Sequence, residues 1–218
     1  MRVYFVRHGE SVGNADDAGS PLKWDDSDDL SETGWVQART LGQRLQGEGI
    51  TKIIHSPLKR AVETAAAVNE TLGLPAEVHP DLYEVEAPSR FYEVPVADRL
   101  ALSPHIWMSE HNEDQDYAKE DGESFNHALA RVKRVQEFLV GAIKDDVVLV
   151  VTHGDWLRFF LGHAVLENEF QPKHFDMLWS MQTANTGISI FEYDDQPTPL
   201  GRDPRYWQLV TWMDRAHL

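Results

Sequence analysis

The stretch Val3-Tyr4-Phe5-Val6-Arg7-His8-Gly9-Glu10 decides the fold, because it joins an apolar strand directly to chemically active side chains. Four consecutive branched and aromatic residues are typical of a buried β-strand. In open α/β sheets, ligands bind in the crevice outside the carboxyl ends of the strands. Arg7 and His8 at such an end predict a site for an anionic ligand. Gly9 is expected to allow a sharp turn and a close approach of the backbone to that ligand.

A second histidine follows another apolar run. Val147–Val151 predicts a strand, and Thr152-His153-Gly154-Asp155 comes directly after it. The apolar residues that follow predict a largely buried helix, and they are Trp156, Leu157, Phe159, Phe160, Leu161, Ala164 and Val165. A single histidine in such a turn is more often structural than catalytic. Two of them, each at the end of a buried strand, favour a functional site.

A third segment supplies further positive charge. Ile53-Ile54-His55 ends a short strand, and the next residues predict a helix with Ser56 as its N-cap and Pro57 at its first position. Arg60 would then lie in the first turn, where free backbone N–H groups and the helix dipole favour an anion. The alternative for Arg60 is a solvated helix residue, and we assign Lys59 to that class.

Periodic apolar residues predict three more helix faces and two late strands. The helix faces are Trp35, Ala38, Leu41 and Leu45; Ala61, Thr64, Ala65, Val68 and Leu72; and Phe125, Leu129, Val132, Val135 and Leu139. Gly73 and the following Pro75 are expected to end the second of these helices. Residues 187–191 and 207–211 predict strands, joined by a proline-containing surface connection over 194–205.

Taken together, these stretches resemble the histidine phosphatase superfamily, which includes the cofactor-dependent phosphoglycerate mutases. No single stretch is specific, but the ordered set is, and it spans most of the chain. The matching stretches are Arg7-His8-Gly9-Glu10-Ser11 with Asn14; Leu30-Ser31-Glu32-Thr33-Gly34 with Gln37-Ala38; Ser56-Pro57-Leu58-Lys59-Arg60-Ala61 with Glu63-Thr64-Ala65; Leu82-Tyr83-Glu84; Gly122-Glu123-Ser124; and Thr152-His153-Gly154.

The resemblance implies a role for each matching residue. His8 would be the nucleophile that forms a phosphohistidine, with His153 as a second catalytic residue. Glu84 would be the acid that protonates the leaving oxygen. The residues implied to bind the phosphoryl oxygens are Arg7, Asn14, Arg60, His153 and Gly154.

The chemistry of phosphoryl transfer supports these roles. Negative charge spreads over the equatorial oxygens in the transition state, so catalysis depends on positioning and on charge stabilisation. Arginine binds phosphate through two parallel hydrogen bonds, and a neutral imidazole is a competent nucleophile near pH 7. An alkoxide leaves poorly unless an acid protonates it, which a glutamic acid can do if burial keeps it protonated. The sequence predicts no metal site and no cofactor, since no dense His/Asp/Glu ligand spacing occurs.

The region around the acid departs from the mutase pattern. The mutases usually carry Glu-Arg-x-Tyr-Gly near the acid, whereas this chain has Tyr83-Glu84-Val85-Glu86-Ala87-Pro88. This difference favours a phosphatase acting on small phosphomonoesters. The Gly-x-Trp-Glu-Gly of many family phosphatases is also missing, so a relative's substrate cannot be transferred. Glu86 and Glu93 are neighbouring carboxylates that we assign to solvated loops.

Three alternatives stay open at this point. The first is phosphoglycerate mutase-type phosphoryl transfer. The second, from a different class, is a regulatory or binding module with a vestigial site, because some families keep a fold and lose the chemistry. The third is a phosphatase that acts on phosphoproteins rather than on small phosphorylated metabolites.

Length and composition predict one α/β domain over residues 1–218. Its 218 residues, of which 42% are hydrophobic, are enough for a substantial core. Alternating strands and helices predict a three-layer α/β/α sandwich around a mostly parallel central sheet. Residues 80–121 lack clean periodicity and are too long for a bare loop. They predict an irregular, partly helical cap insertion that carries Glu84, and five of its apolar residues could line a substrate pocket or bury the cap onto the sheet: Phe91, Tyr92, Ile106, Trp107 and Met108.

The formal net charge of −16 argues against nucleic acid and anionic membranes as partners. No apolar stretch is long enough to span a bilayer and none has the form of a signal segment, so we expect a cytoplasmic protein. A homo-oligomer stays open. Acidic pairs near the first motif are expected either to be a solvated loop or to form a rim that disfavours polyphosphates: Asp16-Asp17, Asp25-Asp26 and Asp28-Asp29.

Overall fold

The computed structural model describes residues 1–15, 28–142, 146–195 and 206–218. Asp16, Asp17, Asp25 and Asp26 lie outside these residues, as does most of the connection predicted before the last strand. Within the described ranges, no helix combines the length and the apolar character needed to cross a bilayer.

The chain alternates strands and helices along most of its length. The strands are β1 (Arg2–Arg7), β2 (Lys52–His55), β3 (Ala76–Val78), β4 (Val147–Thr152), β5 (Ile188–Asp194) and β6 (Tyr206–Asp214). The helices are α1 (Val12–Ala15), α2 (Glu32–Arg44), α3 (Lys59–Leu72), α4 (Pro104–Glu110), α5 (Phe125–Ala142), α6 (Gly154–Leu166) and α7 (Pro172–Leu178). Short 3₁₀ segments span Pro80–Leu82, Ser89–Tyr92, Val96–Leu102 and Glu167–Glu169.

The six strands form one sheet in the order β3-β2-β4-β1-β5-β6. The pairs β3/β2, β2/β4 and β4/β1 are parallel, whereas β5 pairs antiparallel with β1 and β6 antiparallel with β5. The predicted α/β architecture with a mostly parallel sheet is therefore confirmed. Because β2, β4 and β1 are adjacent and parallel, their carboxyl ends lie side by side at one edge.

The two faces of the sheet carry different cores. On one face, Leu41 of α2 and Val68 of α3 pack with Val6 and Val151 in an aliphatic cluster. On the other face, α5 and α6 pack on Phe5 and its strand neighbours in an aromatic cluster that contains Phe125, Trp156, Phe159, Phe160, Phe175 and Phe191. Helices on both faces give the predicted three layers.

Several sequence predictions need correction. The structure adds β3, a three-residue edge strand, and α7, a seven-residue helix, both too short to give a clear periodic signal. Val165 was expected to be buried, but it is 60% exposed because it lies on the outer face near the end of α6.

The predicted start of the third-segment helix is also wrong. Leu58, with φ −69° and ψ 137°, is the N-cap residue of α3, so the helix begins at Lys59 rather than at Pro57. Ser56 does not cap α3, because its hydroxyl accepts the N–H of Leu58 in the preceding turn. Gly73 ends α3 in the left-handed region with φ 63°, as predicted.

The cap region is short helical pieces joined by turns. Trp107 and Met108 of α4 belong to the aromatic core, so these two residues anchor the cap rather than line an open pocket. Phe91 and Ile106 are only partly buried, and the side chain of Tyr92 lies outside the described part of the structure. The boundary of the insertion at about 80–121 stays a prediction.

Candidate active site

Backbone pairing brings the three histidine- and arginine-bearing segments to one edge of the sheet. Arg7 is in register with Thr152 on β4, and His55 is in register with Val151. Beyond the strand ends, the N–H of His8 donates to the Thr152 carbonyl at 2.9 Å, and the N–H of Ser56 donates to the Val151 carbonyl at 3.0 Å. The turns after β1, β2 and β4 are thereby held against one another.

The side chains of Arg7, His8, Arg60 and His153 are called the cluster below. One ring nitrogen of His8 is fixed by the backbone, and the other contacts Arg60 within the cluster. Nδ1 lies 2.7 Å from the Gly9 carbonyl, which can only accept, so Nδ1 carries the proton in the neutral ring. Nε2 accepts the Nε–H of Arg60 at 3.2 Å. The side chain is 1% exposed, and burial, then the charges of Arg60 and Arg7, lower the pKa of His8 well below 6.5. The ring is therefore neutral at pH 7, with its lone pair on Nε2.

His153 lies beside His8 as its partner in the cluster. The two ring centroids are 5.1 Å apart at an interplanar angle of 55°. His153 Nε2 lies 2.7 Å from the Ser56 hydroxyl, so Ser56 orients this imidazole. Burial, followed by the charge of Arg60, lowers the pKa of His153 well below its ordinary value. Both imidazoles of the cluster are thus neutral.

Arg7 reaches the cluster from the last residue of β1. Its Nη1 donates to the Thr183 carbonyl at 2.6 Å, and its Nη2 donates to Asn14 Oδ1 at 3.5 Å. Burial lowers the pKa of Arg7 below its ordinary value, but a guanidinium keeps its charge in proteins. Asn14 Oδ1 also accepts from Asn185 Nδ2 at 3.1 Å.

Asn185 connects Asn14 to the cluster. Its Nδ2 also donates to the His8 carbonyl at 2.9 Å. The sequence places Asn185 in Asn185-Thr186-Gly187, just before a predicted strand and close to a pattern common in the resembled family, but it does not predict a contact with the first motif. Only the antiparallel pairing of β5 with β1 brings it there.

Three buried nitrogen atoms of this cluster have no hydrogen-bond partner among the described residues. They are Arg7 Nε, Arg60 Nη1 and His153 Nδ1. Most buried polar groups in proteins are satisfied, and each exception needs an explanation. Two guanidinium nitrogens beside an imidazole nitrogen are suited to a bound oxyanion.

Glu84 approaches the cluster from the cap and lies at the N-terminus of α6. Its Oε1 accepts the N–H groups of Trp156 at 3.0 Å and Val85 at 2.9 Å, and its Oε2 accepts the N–H of Asp155 at 3.3 Å. His153, the N-cap residue, provides no side-chain cap, so Glu84 takes that function from outside the helix. The structure thus places Glu84 at the first turn of the helix that follows His153.

Asp155 is a carboxyl group that the sequence analysis does not assign to the site. Its Oδ1 accepts Nη1–H of Arg158 at 2.6 Å. Burial, together with the charge of Glu84, raises the pKa of Asp155 to about 7. The acidic part of the site therefore contains two neighbouring carboxyl groups. The sequence contained one signal for Asp155, its position two residues after His153. Residues of a strand-to-helix turn face the site, so a carboxyl group there could have been expected to lie in it.

The two glycines of the motifs allow close contact within the chain. A Cβ on Gly9 would lie 2.8 Å from the Gly34 carbonyl oxygen, so this glycine admits the backbone of α2. The sequence predicts that the backbone at Gly9 comes close to a ligand. The close contact that the structure shows at Gly9 is with the protein's own backbone at Gly34. A Cβ on Gly154 would lie 2.8 Å from Thr183 Oγ1, next to the carbonyl that fixes Arg7.

Only the last acidic pair near the first motif lies in the described structure. Asp28 is 8% exposed and accepts the N–H of Gly13 at 2.9 Å, so it is not part of a solvated rim. Asp29 forms an exposed ion pair with Lys59. Within the described ranges, no group of three or more His, Asp and Glu side chains is arranged to hold a metal ion.

Imidazoles and guanidiniums thus lie together at the carboxyl edge of a parallel sheet, an arrangement suited to an oxyanion. Residues 3–202 match the model of the histidine phosphatase superfamily (branch 1). The chain belongs to this family, and the resemblance found in its sequence is confirmed.

Individual relatives are distant but cover the whole chain. A probable phosphoglycerate mutase GpmB of Yersinia pestis is 26% identical over 219 residues, covering 100% of this chain and 95% of the relative. The structure of Bacillus stearothermophilus YhfR has a TM-score of 0.76 and 25% identity, covering 99% of this chain and 98% of that one. A mycobacterial glucosyl-3-phosphoglycerate phosphatase in complex with VO3 has a TM-score of 0.71 and 21% identity over 97% of this chain and 98% of that one, which supports the fold alone.

Proposed function

We propose that this protein is a phosphatase that hydrolyses small phosphomonoesters through a phosphohistidine on His8. The observation that carries the proposal is the state of the His8 ring. A neutral imidazole with Nδ1–H held at 2.7 Å by the Gly9 carbonyl presents Nε2 to buried cationic donors. Such a ring is a nucleophile at neutral pH, and the donors stabilise the charge that develops on the phosphoryl oxygens.

The first half of the reaction transfers the phosphoryl group to the protein. His8 Nε2 forms a bond to phosphorus while the bond between phosphorus and the ester oxygen breaks. Arg60 Nε breaks its hydrogen bond to His8 Nε2 and donates to a phosphoryl oxygen instead. The other phosphoryl oxygens accept hydrogen bonds from Arg7 Nε, Arg60 Nη1 and His153 Nδ1. His153 can donate from Nδ1 when the Ser56 hydroxyl donates to its Nε2. Glu84 gives its proton to the leaving alcohol.

The second half releases inorganic phosphate. The ionised Glu84 accepts a proton from water, whose oxygen attacks phosphorus and breaks the bond to His8 Nε2. Glu84 then carries the proton for the next cycle. Arg7 and Arg60 supply the positive charge throughout, so we propose that the reaction is independent of metal ions and cofactors.

Glu84 needs a proton at the start of this cycle, and its neighbour Asp155 has a pKa raised to about 7 by burial and by the charge of Glu84. An arriving phosphoester brings further negative charge next to Glu84 and Asp155. Like charges disfavour ionisation, so the bound ester favours a proton on this pair of carboxyl groups. Substrate binding thereby prepares the acid.

We place the substrate among small phosphorylated metabolites and the protein in the cytoplasm. The phosphatase proposal rests on Tyr83-Glu84-Val85-Glu86, which lacks the sequence that mutases carry near the acid. Mycobacterial glucosyl-3-phosphoglycerate phosphatase and a putative alpha-ribazole-5'-P phosphatase of Escherichia coli share the fold, which makes hydrolysis compatible with this architecture.

The test is a panel of phosphorylated metabolites assayed with the wild type and with His8→Ala. We expect the variant to bind phosphate but to turn over at least about a thousandfold more slowly, as expected for loss of a covalent nucleophile. The matched control is His111→Ala, which changes a histidine at the end of α4 and should retain near-wild-type turnover. Equal turnover by His8→Ala and the wild type would contradict the proposal.

Phosphoglycerate mutase activity is the second candidate, because the relatives of Yersinia carry that name. Incubation with 3-phosphoglycerate separates the two. Release of inorganic phosphate that outpaces formation of 2-phosphoglycerate supports the phosphatase. Isomerisation that outpaces phosphate release would replace it with the mutase.

A further inference from the structure

A buried ion pair lies beneath the segment that carries Glu84. The Gly122-Glu123-Ser124 stretch contributes to the family resemblance but has no role in the proposed reaction. Glu123 is nevertheless 2% exposed and Arg131, on α5, is 1% exposed. Arg131 Nε donates to Glu123 Oε1 at 2.7 Å, and its Nη2 donates to Oε2 at 2.6 Å. The pair is therefore a bidentate fork in the interior.

The remaining hydrogen bonds of Arg131 all reach the acid-bearing segment, residues 81–86. Nη1 donates to the carbonyl oxygens of Asp81 at 2.9 Å and Tyr83 at 3.0 Å, and Nη2 donates to that of Glu84 at 3.4 Å. The guanidinium carbon also lies 3.6 Å from the centroid of the Tyr83 ring. One side chain thus contacts the backbone before and at Glu84.

Glu123 holds the other end of the same segment. Its backbone N–H donates to the Glu86 carbonyl at 2.9 Å, and its Oε2 accepts the N–H of Glu86 at 3.4 Å. The acid-bearing segment contains no strand that a sheet ladder would hold. The ion pair therefore holds the backbone on both sides of Glu84. Thr152 and Trp156 add one hydrogen bond each to the carbonyl groups of Leu82 and Asp81 before it.

Stability alone is a weak explanation for this arrangement. Removing two charges from water costs energy that their mutual attraction often fails to offset, so buried pairs are poor evidence for stabilisation. The Arg131 guanidinium donates to one carboxylate and three carbonyl groups, and these bonds fix where the carbonyl groups lie relative to α5. Small displacements of a catalytic group can cost about a hundredfold in rate.

We infer that Glu123 and Arg131 are positioning residues for proton transfer by Glu84. The inference rests on the proposed function, in which Glu84 protonates the leaving oxygen. Their substitution should therefore slow the reactions that need the acid and spare those that do not. An alkyl phosphate needs a proton on its leaving oxygen, whereas p-nitrophenyl phosphate releases a stable phenolate without one.

The experiment compares kcat/KM for glycerol phosphate and for p-nitrophenyl phosphate in four proteins: the wild type, Glu84→Gln, Glu123→Gln and Arg131→Lys. Glu123→Gln removes the carboxylate but keeps its shape, and Arg131→Lys keeps the charge without the fork. We expect both to lower the value for glycerol phosphate by about ten- to a hundredfold. The value for p-nitrophenyl phosphate should fall less than about threefold, with Arg131→Lys the milder of the two variants.

Arg134→Met is the matched control. Arg134 lies on the same helix and binds the same segment, but through the side chain of Asp81, at 2.6 and 2.9 Å, and it is 50% exposed. An exposed pair of this kind contributes little. We expect this control to leave the ratio of the two kcat/KM values unchanged.

The outcomes separate this inference from the function on which it rests. A selective loss with glycerol phosphate in Glu84→Gln and in the pair variants supports both. Equal losses on the two substrates in the pair variants, beside a selective loss in Glu84→Gln, would overturn the positioning role and leave the proposed acid intact. Absence of a selective loss in Glu84→Gln would overturn both.

A double variant covers the case in which the single changes do not fold. Glu123→Leu combined with Arg131→Met replaces the ion pair with apolar side chains, a change that buried pairs often tolerate in stability. Its folding is checked by circular dichroism before kinetics. If the double variant folds and its ratio of the two kcat/KM values equals that of the wild type, the inference is also overturned.

Discussion

The cationic half and the acidic half of the site differ in how completely their polar atoms are satisfied. In the cationic half, Arg7 Nε, Arg60 Nη1 and His153 Nδ1 are buried without a partner among the described residues. In the acidic half, the Glu84 carboxylate already accepts three N–H groups, two of them from the first turn of α6. The cationic half therefore has free donors for a ligand, whereas the carboxylate of the acidic half is hydrogen-bonded to the protein itself.

This difference indicates two separate physical tasks. An unsatisfied buried donor costs about 1–3 kcal/mol, so donors can wait for an oxyanion only where a rigid frame holds them. The adjacent parallel strands provide that frame. A proton donor must instead exchange partners during each cycle, and Glu84 is accordingly mounted on a cap segment rather than on the sheet.

Loss of Arg60 should have the largest effect and would break the cationic half. Arg60 donates to His8 Nε2, the proposed reacting atom, through Nε and has no partner for its buried Nη1 among the described residues. We expect Arg60→Ala to lower kcat/KM by about a hundred- to a thousandfold, the range for removal of one donor from a transition-state site. Steady-state kinetics with a phosphomonoester measures this loss.

Lys59 provides the control for Arg60. It is the neighbouring cation on α3, but it is exposed and pairs with Asp29. Lys59→Ala removes the same net charge from the protein and should change kcat/KM little. Similar losses in the two variants would mean that Arg60 acts only through the overall field of the molecule.

Asp155→Asn should produce a smaller effect, seen in the pH dependence of stability. The folded protein raises the pKa of Asp155 to about 7 from an ordinary value of 3.8. Between these values the folded state retains a proton that the unfolded state releases, so stability falls as pH rises. The slope for one proton is at most about 1.4 kcal/mol per pH unit. Asparagine does not titrate, so the variant should lose this decline.

Urea unfolding at pH 5, 6, 7 and 8 measures the effect. We expect the free energy of unfolding of Asp155→Asn, relative to the wild type, to rise with pH up to about 7 and then to level off. Asp98→Asn, at an exposed residue of the cap, is the control and should follow the wild type at every pH. Parallel curves for Asp155→Asn and the wild type would show that Asp155 does not titrate in this range.

The two halves also differ in how far the sequence predicts them. The cationic half comes from short local motifs at strand ends, and strand adjacency alone brings Arg7, His8, Arg60 and His153 together. Its errors are local ones, such as the helix start at Lys59, where Ser56 contacts His153 instead of capping α3. Local patterns contain this information because the carboxyl ends of parallel strands meet at one edge.

The acidic half depends on contacts between distant residues. Arg131 lies within a helical stripe and gives no local sign that it binds the carbonyl groups of Tyr83 and Glu84. The pKa of Asp155 is raised first by burial and then by the charge of Glu84, which the cap brings beside it. Burial and carboxyl pairing arise from tertiary packing, so composition and periodicity do not predict them.

Asn14 should have the smallest effect and tests how far the cationic half extends. Its Oδ1 accepts from Arg7 Nη2 at 3.5 Å, a long contact, and from Asn185 Nδ2 at 3.1 Å. A hydrogen bond to a charged group is worth about 1.5–3 kcal/mol, but this one is long, so Asn14→Ala should raise KM for a phosphomonoester only about three- to tenfold with little change in kcat. Asn14→Asp keeps the acceptor but adds a negative charge next to Arg7, so it should raise KM more than alanine does. An unchanged KM in both variants would place Asn14 outside the phosphate-binding group and limit the cationic half to the two arginines and His153.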